Sequence, residues 1–413
     1  MRIHIISAFG KGLLAVGLSF LVHHELNGAP ATVVSKNPKG GTASTPAPDK
    51  SEQGKTRMIM QTIFEPIAKV LPLSFNETEF TSSKNRKEIT QRLKELSDHA
   101  HILEKHAAQR SRSFEFVAQS LGRDAKNLYR WYTKGQFDEA RFTLHNMTEN
   151  CISCHSSLPA SQEFPPADKF FAAIKLKDLP PLEKAHIQVL SRQFDAALGT
   201  YESVLRSKDI HPLNLVVLGA FTDYLKLCIH VKSDLKRPQP LMQEIMDRPA
   251  SPLHVKEQLK RWLTTLKKLD QDNAIQQNDL TVARNILNEG RALMEFPKDR
   301  DGLIHYLVAS ALLNRIVYQK TAQGLQMAEA YYWLGVSESL IEHSLWIQKS
   351  DFYFETAIRL APGADFAPKA YALLEDSYIS GYTGSSGTYL PDDIRQLLAE
   401  LRKLIEQAHG KKS

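Results

Sequence analysis

Cys151, Cys154 and His155 are the residues of this chain whose types and spacing most directly define a chemistry. In the run Cys151-Ile152-Ser153-Cys154-His155 the two thiols stand three positions apart, so on a helix they share one face. Thiols placed this way reach both vinyl groups along one edge of a haem, and the imidazole that follows is aimed at the iron as its proximal ligand. The spacing predicts one haem c, held covalently by Cys151 and Cys154, with His155 on the metal. Two other chemistries use paired cysteines. A structural zinc site takes four ligands, normally as two close Cys or His pairs, and the sequence has no second pair. A thioredoxin-like dithiol belongs beside a βαβ pattern, whereas the flanking sequence reads as helix. The remaining cysteine, Cys228, lies among Leu225, Leu227 and Ile229 and reads as a buried thiol without chemistry.

Four helical stretches between residues 57 and 158 would position that motif. The first runs from about Thr56 to Leu71, with Met60, Ile63, Phe64, Ile67 and Val70 as its apolar positions and Pro66 imposing a kink or an early stop. The second runs from about Asn85 to Ala108, with Ile89, Leu93, Leu96, Ala100 and Leu103 at three- and four-residue steps. The third carries Phe114, Val117, Leu121, Leu128 and Trp131 and ends at Lys134-Gly135. The fourth runs from about Phe137 through Phe142, Leu144 and Met147 into Cys151 and His155. Amphipathic helices on short connections predict an antiparallel bundle, which holds cofactors between facing helices.

Residues 57–158 resemble the cytochrome c-prime family. The resemblance rests on Gly135-Gln136-Phe137-Asp138-Glu139-Ala140, which matches the family's short turn and final helix, and on Cys151-Ile152-Ser153-Cys154-His155 closing that helix. It implies that His155 is the fifth iron ligand and that a residue of the first helix covers the sixth position. Some members place an apolar side chain there and stay five-coordinate; others place a Met. This chain offers Met58 and Met60, and Met60, sharing a face with Ile63, Phe64 and Ile67, is the stronger candidate. The plain alternative is that Met60 only fills core. His99, His101 and His106 read as a solvated face of a Lys- and Glu-rich helix, and His145 as surface.

The N-terminus predicts export. Arg2, His4 and Lys11 precede the apolar run Leu13 to Val22, and Ala29-Pro30-Ala31 offers a cleavage site, so residues 1–31 read as a signal peptide. The run is too short to cross a bilayer, so membrane attachment would come only through an uncleaved leader. Residues 32–56, rich in Ser, Thr, Pro, Gly and Lys, read as a disordered linker. Export and covalent haem attachment agree, since the haem is attached outside the cytoplasm; the periplasm is the expected location. The formal net charge of +6, with both signs interspersed, gives no basic stripe for nucleic acid.

After a connection through Pro180-Pro181 the sequence stays helical to about Gln407, so the expected organisation is a haem domain at 57–160 and a helical repeat-like domain at 181–410. Phe194-Asp195-Ala196-Ala197-Leu198 with Tyr201, and Tyr331-Tyr332-Trp333-Leu334-Gly335 with Phe354, Ala357 and Pro362, resemble tetratricopeptide repeats, although the period is not sustained between 206 and 325. The resemblance implies a concave surface that holds another protein; a non-repeat helical domain packed on the haem bundle is the alternative. Gly381-Tyr382-Thr383-Gly384-Ser385-Ser386-Gly387 reads as a connecting loop.

The sequence therefore predicts an all-α protein: a monohaem carrier of single electrons with a redox partner protein and a helical docking region. A five-coordinate haem binding a diatomic gas, and a protein-interaction scaffold with a structural haem, are the other readings. No acid, base or nucleophile set can be named, so no enzymatic activity is expected.

Overall fold

The computed structural model describes residues 52–108, 112–155, 179–212, 219–295, 300–319, 321–341, 349–385 and 387–410. The expected signal peptide, residues 32–51 of the expected linker and most of the connection between the two domains lie outside the described residues. No described helix is long and apolar enough to cross a membrane. The described chain is all-α, apart from two-residue strands β1 (Thr383–Gly384) and β2 (Gly387–Thr388) that turn the expected loop into a minimal hairpin.

The first group of helices is α1 (Glu52–Ser74), α2 (Glu77–Thr81), α3 (Ser83–Ala107), α4 (Arg112–Thr133) and α5 (Phe137–His155). Three of them carry one repeating step. Buried residues fall at Ile89, Leu93, Leu96, Ala100, Leu103 and Ala107 on α3, and at Phe114, Ala118, Leu121, Ala125, Leu128 and Tyr132 on α4. On α5 they fall at Ala140, Leu144, Met147 and Cys151. Steps of four and three keep one narrow seam facing the neighbouring helix. α3 packs on α1 and α4, α4 packs on α5, and α1 also touches α5. Phe142 departs from expectation: it lies half a turn off the seam and is 67% exposed. The turn into α5 uses Gly135 at φ 76°, with Gly135 N–H donating to Tyr132 O and Gln136 N–H to Trp131 O, the left-handed closure expected there.

Two boundaries differ from the sequence reading. α1 begins at Glu52, inside the expected linker, because Thr56 Oγ1 meets His106 Nε2 at 2.9 Å and fixes the early turns of α1 on α3. α1 also runs through Pro66 and Pro72 to Ser74. Burial of Ile63, Ile67, Val70 and Leu71 outweighs the backbone bonds the prolines remove.

The second group is α6 (Pro181–Leu190), α7 (Phe194–Arg206), α8 (Ala220–Lys226, continued by a π-helical turn Leu227–Val231), α9 (Pro238–Met246), α10 (Leu253–Gln271), α11 (Leu280–Ala292), α12 (Leu303–Gln319), α13 (Gly324–Leu340), α14 (Ser350–Leu360), α15 (Ala367–Gly381) and α16 (Asp392–Gly410). From α11 onward each helix packs on the next, and α11 reaches α13 as α14 reaches α16. Stacking therefore continues through part of the stretch where the sequence period lapses. Glycines mark two close pairs: a Cβ on Gly335 would stand 2.6 Å from the Phe354 ring, and one on Gly290 would stand 2.8 Å from the Tyr306 ring. The π-helical turn, α12 and α13 share a buried polar web. Lys226 Nζ lies 3.6 Å from Glu338 Oε2, Ser310 Oγ donates to Glu338, and His230 Nε2 donates to Leu307 O at 3.0 Å. Burial pushes the Glu338 carboxyl up, but the charges of Lys226 and Lys349, with the Ser310 hydrogen bond, prevail and hold it below the usual carboxylate range. Cys228 is fully buried beside this web, its thiol pushed up by burial, in line with an inert role.

Gly335→Ala is expected to destabilise the chain by about 1–3 kcal/mol through overpacking against Phe354. Gly199→Ala on α7, where an added Cβ meets nothing within 4 Å, is expected to stabilise by about 0.5–1 kcal/mol. Urea unfolding of both variants checks the opposite signs. Burial also lowers His230 to about 3 and His305 to about 4 from 6.5. Both rings are neutral when folded, and the unfolded chain takes up protons first as the pH drops below 6.5. Stability should therefore fall with acidification at roughly 1.4 kcal/mol per pH unit per histidine between pH 6.5 and about 4. His305→Leu should remove about one proton from that dependence, read from unfolding free energies across the window.

Candidate functional site

The last turn of α5 carries Cys151 and His155 four positions apart, on one side of the helix. Cys151 is the final position of the α5 seam, 8% exposed, with its Sγ donating to Met147 O at 3.7 Å. Cys154 is helical, and its side chain lies outside the described residues.

His155 is the terminal residue of α5, and its Nδ1 lies 2.9 Å from Leu190 O at the end of α6. That carbonyl is available because of how α6 ends. Arg192 takes a left-handed conformation at φ 61°, and the chain folds back so that Ser191 N–H reaches Ile187 O, Gln193 N–H reaches Gln188 O and Arg192 N–H reaches Val189 O. These bonds occupy the carbonyls preceding Leu190 and leave its own oxygen for the imidazole. A carbonyl only accepts, so Nδ1 carries the proton and Nε2 keeps its lone pair. Burial first, then the positive charge of Arg192, push His155 down to about 3 against the opposing hydrogen bonds to Leu190 and Val189, so the ring is neutral near pH 7. A neutral imidazole with its second nitrogen tied to a carbonyl is the form that ligates a metal.

The expected sixth-position residue, Met60, is half-buried on α1 and packs against the core, whereas Met58 is 53% exposed. α1 is pinned to α5 near its C-terminal end. Arg141 Nε donates to Ser74 O at 2.7 Å, Ser74 Oγ meets His145 Nε2 at 3.1 Å, and the His145 ring stands edge-on to Phe75 with centroids 5.5 Å apart. Met60 is fourteen residues back from Ser74 and His155 fourteen residues on from Arg141, each about 21 Å at 1.5 Å per residue. With α1 and α5 antiparallel, Met60 and His155 thus lie at one level.

Three histidines expected at the surface are structural. His145 is half-buried in the α1–α5 clamp, and burial lowers its pKa. His99 Nδ1 reaches Thr62 O on α1 at 2.8 Å, and His106 meets Thr56. His101 is solvated as expected, 2.8 Å from Glu104. The residues that sequence reasoning missed are Leu190 and Arg192: Ser191-Arg192-Gln193 contains no Gly or Asn to announce a left-handed turn.

In comparison with known proteins, the chain matches no protein-family model, and neither the curated proteins nor the solved structures give a match.

Removal of the α1–α5 clamp tests its weight. Arg141→Met deletes a charge-assisted bond to a buried helix end and is expected to lower stability by about 1.5–3 kcal/mol, measured by denaturant unfolding followed by circular dichroism.

Proposed function

We propose that the chain is an exported monohaem c-type cytochrome, with residues 57–160 as a cytochrome c-prime-like four-helix domain and residues 181–410 as a tetratricopeptide-like docking region. The observation that carries this reading is the bond from His155 Nδ1 to Leu190 O, which presents Nε2 as a neutral donor one residue after the second cysteine of the attachment motif.

The residues present fit a haem c. Cys151 and Cys154 would hold it through thioethers, His155 would ligate the iron, and Met60, at the level of His155, would take the sixth position. When bound, the haem supplies a one-electron iron couple whose potential depends on the axial ligands and on burial. The chain's own contribution is positional. The seams of α3, α4 and α5 exclude water, Leu190 O fixes the imidazole tautomer and ring direction, and the Arg141–Ser74 clamp holds the first helix against the last. A single-electron carrier in the periplasm passes its electron to a partner protein, and the stacked helices from α11 to α16 supply an extended surface for one.

Absorption spectra of the matured full-length chain and of Met60→Leu test the assignment. The account expects the weak long-wavelength sulfur-to-iron band in the oxidised wild type, no response of the reduced form to carbon monoxide, and a clear carbon monoxide shift in Met60→Leu. A carbon monoxide shift in the wild type would show an open sixth position and replace electron transfer by gas binding.

A further inference from the structure

Three polar side chains from three successive helices meet in the interior of the second helical group, close together but with no hydrogen bond of ordinary geometry between them. His186 is on α6, Tyr201 on α7 and Asp223 on α8. Asp223 is 1% exposed and Tyr201 fully buried. Both Asp223 carboxylate oxygens, the Tyr201 hydroxyl and His186 Nε2 make no hydrogen bond among the described residues. Buried polar atoms in native proteins are almost always satisfied, and a group of orphans in one place marks a bound water or ion. A carboxylate out of water with neither oxygen satisfied is the most costly of the four.

The spacing chooses between explanations. His186 Nε2 stands 3.5 Å from Asp223 Oδ2. A direct charge-assisted hydrogen bond would draw these atoms to about 2.7–2.9 Å. Two donors on one tetrahedral ion, each about 2.0–2.1 Å from the metal, sit roughly 3.4 Å apart. Burial first, then the charge and closeness of the same carboxylate, raise the Tyr201 pKa, although its hydroxyl meets no hydrogen-bond geometry among the described residues. The His186 and Tyr201 rings lie with centroids 6.3 Å apart, tilted by 53°. Asp223 itself is set by the first turn of α8, where its N–H donates to Gly219 O at 3.0 Å and Gly219 takes φ 76°. Among the described residues no three His, Cys, Asp or Glu side chains gather; this pair is completed by a tyrosine.

We propose that His186 Nε2, the Asp223 carboxylate and the Tyr201 hydroxyl bind one divalent transition-metal ion of the zinc class, with water completing the shell. A mixed imidazole and oxygen donor set selects this class over calcium or magnesium. His186 lies at the margin of the cluster, its side chain 20% exposed while Nε2 itself is buried. Bound there, the metal ties α6, α7 and α8 together, one helical turn before the Leu190 carbonyl that receives His155. The site is separate from the haem motif and does not depend on haem being present.

The test uses the full chain with zinc as the probe. Calorimetry and metal analysis after dialysis are expected to find one zinc per chain, and the thermal midpoint should rise with zinc. His186→Gln and Asp223→Asn should each weaken binding by at least ~100-fold, the upper range for loss of even an outer partner, and abolish the thermal response. Tyr201→Phe should weaken it less, and His254→Gln, at an exposed position, should leave it unchanged. A wild-type chain that retains no zinc, or zinc binding that survives His186→Gln, overturns the proposal and leaves a His–Asp ion pair. His186→Gln decides the matter even if Asp223→Asn fails to fold.

Discussion

The hydrogen bond between His155 and the Leu190 carbonyl joins the two halves of the molecule at the point where chemistry is expected. It ends α5 on one side and uses the last carbonyl of α6 on the other. It needs a helix C-terminus whose own closure spares one acceptor, which Arg192 provides by entering the left-handed region at φ 61°. A non-glycine residue in that region bears strain that surrounding structure must sustain. Packing of α5 on α6 and of α6 on α7 sustains it. The orientation of the His155 imidazole is thereby set by the second helical group, not by the helices of the first.

Two kinds of interior surround this junction. The first group of helices is apolar and regular: the four-three steps on α3, α4 and α5 build one seam, and Cys151 is its last position on α5. The second group buries charge. Lys226 and Glu338, 2% and 5% exposed, sit among His230, Ser310 and Lys349. Such a web adds little net stability compared with apolar packing, but a register shift between α8, α12 and α13 would strand its charges, so it favours one arrangement of the stack.

Much of this was legible in the sequence, for identifiable reasons. The α3 and α5 boundaries followed from step patterns and from the Gly135 turn, because a heptad-like seam and a left-handed glycine are local signals. The spacing of Cys151, Cys154 and His155 at the end of α5 is local too. What was not legible depends on contacts distant in sequence. Pro66 argued for a kink or an early stop that packing on α3 overrides, and His145, His99 and His106 looked solvated because their partners lie on another helix. The Leu190 carbonyl carries no side-chain signature at all. Stacking in α11 and α12 escaped notice because its glycine and aromatic, Gly290 and Tyr306, lack the surrounding repeat residues that accompany Gly335 and Phe354.

The most direct test of the central claim is the intact mass and pyridine haemochrome spectrum of the full chain produced with c-type maturation machinery, beside a Cys151→Ala/Cys154→Ala variant. The account predicts one covalent haem per chain in the wild type, with the spectrum of two thioether links, and none in the variant. A wild-type chain that emerges without covalent haem, its thiols still titratable, would contradict it.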